Sequence, residues 1–124
     1  MSYYSNFTLN VYDWPEGSKN VEYGRLVTDE YLKIAVDNAI QALDVFEEGN
    51  MRSGYYAYAP WSTVDEDMCE LSRKFPTVLF ELNGNGDDWD DIWVTYYLDG
   101  KMQFCPAAIV YPDFDPDGFK EYQP

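Results

Sequence analysis

Two acidic knots hold the residues whose type and spacing could do chemistry. The first is NGNGDDWDDIW, from Asn83 to Trp93, in which Asp87, Asp88, Asp90 and Asp91 surround Trp89. The second is DFDPDGF, from Asp113 to Phe119. Carboxylates at such density suit three tasks: binding a hard cation, acid–base catalysis, or recognition of a basic partner. In the second knot Asp113, Asp115, Asp117 and Gly118 take positions 1, 3, 5 and 6 of a calcium loop, with Glu121 at position 9. Position 12 needs a bidentate glutamate, and Pro124 stands there. Pro106 and Pro112 oppose an entering helix, and Pro116 restricts the loop backbone. A divalent-cation module built on Asp113, Asp115 and Asp117 is therefore only an alternative reading. No metal and no other cofactor is expected.

Catalysis lacks its other parts. The chain has no histidine, which removes Ser-His-Asp and Cys-His schemes and histidine metal sites. Adjacent aspartates on one loop point in different directions, and no glycine-rich or basic phosphate cradle accompanies them. Cys69 sits in an acidic segment, which disfavours a thiolate. No catalytic residue is assigned, and the protein reads as a non-enzyme. Recognition remains. Residues two apart on a strand lie about 6.6 Å apart on one face, comparable with phosphate spacing along a nucleic acid. Asp87, Asp88, Asp90, Asp91, Asp113, Asp115 and Asp117 would supply charge, and Trp89 the aromatic anchor.

The overall balance agrees. Eight basic residues against 23 acidic give a net charge of -15. A folded domain so charged repels nucleic acid and anionic membranes and favours basic proteins. Residues 62–124 carry 14 of the acids and 4 of the bases, so the field is strongest there. Hydrophobic residues make up 46%, which sets the chain apart from disordered acidic tails. Its 124 residues suit one domain. The two cysteines form no disulfide framework, the first residues lack a signal-peptide pattern, and no apolar run reaches membrane-spanning length. A cytoplasmic protein is expected.

The knots must be positioned by the elements around them. Phe7, Leu9 and Val11 alternate with polar residues in a first strand. Thr28 reads as the N-cap of a helix whose apolar stripe runs Leu32, Val36, Ile40, Leu43 and Phe46, with Gly49 as its stop. SGYYAYAPW is an aromatic strand. Thr63 and Glu66 have capping-box spacing at the start of a second helix that Pro76 closes. TVLFELNG is a strand, and the Asp99-Gly100 pair joins DIWVTYYL and KMQFCPA as a hairpin. AIVY reads as a possible last strand, and an irregular acidic tail follows from about residue 111. Phe114 and Phe119 are expected to pin that tail to the body.

The expected fold is a single α+β domain over residues 1–124: one antiparallel sheet of four to five strands, two helices on one face, ferredoxin-like or a variant. The glycines of NGNG are read as turn residues. The last hairpin leaves an edge on which a second copy could pair, so a homodimer is allowed.

Leu71, Phe75, Pro76, Phe80, Gly84, Gly86, Asp91, Trp93, Tyr96, Tyr97, Asp99, Gly100 and Lys101 together resemble a pattern in small proteins of phages, plasmids and other mobile elements. The pattern is a helix ending in Phe-Pro, a strand, a Gly-acidic loop, an aromatic strand and a Asp-Gly-Lys turn. It covers about a third of the chain, and most of its residues specify core and turns. The resemblance implies a small ferredoxin-like fold. In charge and size the chain is also similar to anti-restriction and anti-CRISPR inhibitors. The expectation is an acidic phage or mobile-element protein in the host cytoplasm. It would inhibit a host defence nuclease or nucleoprotein by nucleic-acid mimicry, with a basic, nucleic-acid-binding host protein as partner and no direct contact with nucleic acid or membrane. An immunity protein or antitoxin against a basic toxin needs the same surface and is the alternative.

Overall fold

The structure, a computed structural model, describes residues 4–21, 25–86 and 91–123. Six strands form one antiparallel sheet with two helices: β1 (Ser5–Asp13), α1 (Glu30–Ala42), β2 (Glu48–Asn50), β3 (Gly54–Ala59), α2 (Val64–Lys74), β4 (Val78–Asn85), β5 (Ile92–Leu98) and β6 (Lys101–Pro106). Across the sheet the order is β2-β3-β1-β4-β5-β6. The sheet is thus larger than the four to five strands expected.

Period-2 alternation decides which face is buried. Phe7, Leu9 and Val11 of β1 stand opposite Ala57 and Tyr55 of β3 and Gly84, Leu82 and Phe80 of β4. Thr95 and Tyr97 of β5 continue the row beside Leu82 and Phe80. Val36 and Ile40 of α1, and Met68 and Leu71 of α2, close over this face, and every one of those residues is buried. A seam of aromatic rings crosses the layer. Trp93 meets Phe7 edge-on at 6.3 Å, Phe7 meets Trp61 at 5.4 Å, and Trp61 meets Phe46 at 5.6 Å.

The differences from the sequence expectation have local causes. Asp29, not Thr28, caps α1, its carboxylate accepting from the Leu32 N–H at 2.9 Å. The helix ends at Ala42, short of Phe46, because Asp44 turns left-handed at φ 55°. The chain then enters β2, where the Glu47 N–H donates to the Tyr56 carbonyl. Gly49 therefore lies in a strand rather than stopping the helix. Its φ is 143°, and a Cβ there would lie 2.4 Å from the Gly54 carbonyl oxygen, so only glycine fits. Three residues with no apolar alternation carry no strand signal, and so β2 is invisible in the sequence. At α2 the Thr63 hydroxyl does not cap a backbone N–H but donates to the Asp67 carboxylate at 2.8 Å.

The last hairpin is as expected. Asp99 and Gly100 both have positive φ, 48° and 79°, as a tight turn between twisted strands requires. The Gly100 N–H donates to the Ser72 hydroxyl at 2.9 Å, which docks the turn on the end of α2. Beyond Pro106 there is no further strand among the described residues. Ala107 makes one last bond to the Ile92 carbonyl, and residues 107–123 are irregular and exposed, so the tail begins earlier than residue 111. The AIVY segment is part of it. Among the described residues no helix is long and apolar enough to cross a membrane.

Candidate functional site

Asp87, Asp88, Trp89 and Asp90 lie outside the described residues. Asp91 is half-buried, and its carbonyl accepts from the Gly86 N–H at 2.8 Å where the β4–β5 connection closes. Gly84 is not part of that turn. It sits in β4 opposite Trp93, and a Cβ on it would lie 2.1 Å from the indole ring. The glycine exists to seat the tryptophan.

Asp113, Asp115 and Asp117 are exposed on the tail. The Asp115 carboxylate accepts from the Asp117 N–H at 2.9 Å, and its carbonyl from the Gly118 N–H at 2.9 Å. This is an aspartate turn, in which the carboxylate satisfies its own backbone. The three carboxylates do not converge. Among the described residues no three Cys, Asp or Glu side chains group as a metal site. Phe114 and Phe119 meet edge-on at 5.9 Å and are 78% and 79% exposed, so they hold the turn and not the tail's contact with the body.

Other carboxylates accept hydrogen bonds from the aromatic layer, which sequence reasoning missed. The fully buried Tyr55 donates its hydroxyl to Asp37 of α1 at 2.6 Å. Tyr97, also fully buried, donates to Asp65 of α2 at 2.7 Å. Trp61 donates its indole N–H to Asp67 at 2.7 Å. Each pair ties a helix to the aromatic layer beneath it. The available signal was the placement of Tyr55 and Tyr97 at inward strand positions, since a buried phenol needs an acceptor.

These bonds predict an alkaline transition. Burial pushes both phenols well above the ordinary tyrosine range, and the neighbouring carboxylates add to the shift. The folded state then holds protons that the unfolded chain releases from about pH 10 upward. The stability carried by the two phenols is complete below that pH and falls as pH rises through their raised values. Ultraviolet titration of the folded protein should therefore leave at least two of the 12 tyrosines protonated until the chain unfolds. Ionisation of all 12 in one reversible step near pH 10 would contradict the buried pairs.

The opposite face of the sheet is different in kind. Asn6, Thr8 and Asn10 of β1 pair with Tyr58 and Tyr56 of β3 and with Asn85, Asn83 and Glu81 of β4. Among the described residues from β3 across to β6, the only acid on this face is Glu81, and it is buried. Its Oε1 accepts from Asn10 at 3.2 Å, Asn83 at 3.3 Å and Tyr12 at 3.5 Å. The exposed carboxylates lie elsewhere. Asp29, Glu30, Asp44, Glu47 and Glu48 follow α1 into the β2 edge, and Glu66 and Glu70 lie on α2. Lys33 bridges to Glu30 at 3.5 Å, a surface pair of small energy.

Burial and the Asp65 charge raise the Cys69 thiol above its ordinary value, against the smaller opposing effect of Arg73. A thiol so held is a poor nucleophile. The groove between the helices is about 180 Å³, lined by Ala39, Ala42, Leu43 and Leu71 with Asp67, Glu70 and Lys74 at its rim. Comparison with protein-family models, curated proteins and solved structures finds no match for this chain.

Proposed function

We propose that this protein acts by binding and not by catalysis, as an acidic module that occupies the nucleic-acid groove of a basic protein. The segment from α1 through β2 carries the reading. With its cap Asp29 it holds six carboxylates, Asp29, Glu30, Asp37, Asp44, Glu47 and Glu48, against one cation, Lys33. Only Asp37 of the six hydrogen-bonds a core side chain, and the rest stand exposed. Negative charge fixed on a rigid scaffold attracts a cationic groove over distance and needs little ordering on contact.

The acidic knots at Asp87–Asp91 and Asp113–Asp117 add seven further carboxylates to the chain's negative charge. The scaffold has the β-α-β-β-α-β order of ferredoxin-like domains through β4, with the β5–β6 hairpin added at one side. The setting we infer is the cytoplasm of a host cell. There the protein, encoded by a phage or other mobile element, blocks a defence nuclease or nucleoprotein. Its target is cationic, so capture from host lysate should recover a basic nucleic-acid-binding protein at low salt and lose it at high salt. Recovery that does not change with salt, or of partners that bind no nucleic acid, would count against mimicry.

A further inference from the structure

The two edges of the sheet differ. The β2 edge has three residues and carries Glu48, which makes it short and charged, as edges are when they must not pair. The β6 edge has six residues, Lys101–Pro106, with no acid among them. In a chain of net charge -15, this is a stretch of strand free of negative charge. On the helix side of β6, Met102 and Phe104 stand beside Tyr97 and Thr95, and both remain exposed although α2 contacts the strand. Phe104 is 57% exposed.

The two ends of β6 differ in charge: the start is basic on balance, with Asp99 and Glu70 offsetting part of it, and the end leads into acid. At its start the turn docks on α2, where a Cβ on Gly100 would lie 2.8 Å from the Arg73 guanidinium. Lys74 follows Arg73, and Lys101 opens the strand. None of the three makes an ion pair among the described residues. At the end of β6 the tail leaves the body. It carries Tyr111, Phe114 and Phe119 with Asp113, Asp115 and Asp117, all exposed. Residues 107–123 could reach about 55 Å if extended.

We propose that β6 pairs with β6 of a second copy, and that each tail crosses onto the basic end of the other copy. Antiparallel pairing about a two-fold axis brings the end of one β6 beside the start of the other. The acidic, aromatic tail of each copy then emerges next to Arg73, Lys74 and Lys101 of its neighbour. The same operation sets Met102 and Phe104 of both copies side by side in one apolar strip between the two helix layers. Edge pairing, apolar contact and charge complementarity thus fall in a single self-complementary surface. The sheet becomes a continuous twelve-stranded one, doubled from the six strands of each copy.

Light scattering on the purified full chain tests this without any host partner. The wild type should have twice the 14.5 kDa chain mass. Lys74→Glu with Lys101→Glu, both exposed positions, should raise the dissociation constant by at least about tenfold. Asp113→Lys with Asp117→Lys should do the same. All four changes together should recover the dimer, because they reverse both sides of one contact. Phe104→Lys should give monomer with the helical circular dichroism unchanged. A monomeric wild type overturns the proposal. So does a dimer indifferent to these changes, or a fourfold variant that stays as weak as its two parents.

Discussion

Replacing Gly84 with alanine should lower the unfolding free energy by about 2–3 kcal/mol, near the upper end for overpacking. The added Cβ would sit 2.1 Å from the Trp93 ring carbons. No real contact is that short, so the indole must leave its place. It has little freedom to do so, because its ring also packs edge-on against Phe7 at the centre of β1. Moving it opens the aromatic seam at one end. The total stability of a domain this size is only about 5–15 kcal/mol, so the loss is a large share. Urea denaturation followed by tryptophan fluorescence measures it. The cause is checked by adding Trp93→Leu. If the indole is what the methyl meets, the double variant should cost at least about 1 kcal/mol less than the sum of the two single changes. Simple additivity would show that Gly84 is needed for another reason.

The second large effect is expected at Asp65. Asp65→Ala should cost about 2 kcal/mol, because the Tyr97 hydroxyl would lose its acceptor in a fully buried site. Tyr97→Phe should cost less, about 1 kcal/mol, since the exposed Asp65 carboxylate then turns to water. With both changes made, the buried hydroxyl is gone and nothing is left unsatisfied. The double variant should therefore resemble Tyr97→Phe more than Asp65→Ala. It should also lose part of the steep alkaline destabilisation, because one of the two shifted phenols has been removed. Thermal melts at neutral and alkaline pH separate these outcomes. An Asp65→Ala variant as stable as the wild type would mean that the hydroxyl finds another acceptor.

These two cases show why parts of the molecule were legible in the sequence and others were not. The alternation of Phe7, Leu9 and Val11 and the Asp99-Gly100 turn are local patterns with one structural solution, and the chain adopts it. The α1 stripe is equally local, but its end is not. Leu43 and Phe46 keep helical spacing while the backbone has already left the helix at Asp44 to form β2. That strand is held by pairing with β3, a partner outside its own sequence. Gly84 was misread for the same kind of reason. In NGNG a glycine reads as a turn residue, and only the register against Trp93 reveals that it makes room for a ring.

The candidate site was legible in its charge and not in its arrangement. Composition alone establishes the acidity, and hydrogen bonding then divides the acids. Asp37, Asp65, Asp67 and Glu81 accept from partners within the fold, whereas Glu30, Asp44, Glu47 and Glu48 remain on the surface. The tail was legible as irregular, but its aromatic residues were misplaced. Phe114 and Phe119 pack on each other because the Asp115 turn brings the chain back on itself, and nothing of the body covers them.

The claim that this surface takes the place of a nucleic acid is tested most directly by competition. The basic protein captured from host lysate would be loaded with a fluorescent DNA or RNA oligomer and titrated with this protein. The wild type should displace the oligomer fully. Neutralising Asp44, Glu47 and Glu48 together with Asp87, Asp88, Asp90 and Asp91 to their amides should weaken displacement by about a hundredfold at low salt, and by less as salt screens the field. Simultaneous binding of protein and oligomer, or displacement unchanged by the amides, would contradict the account.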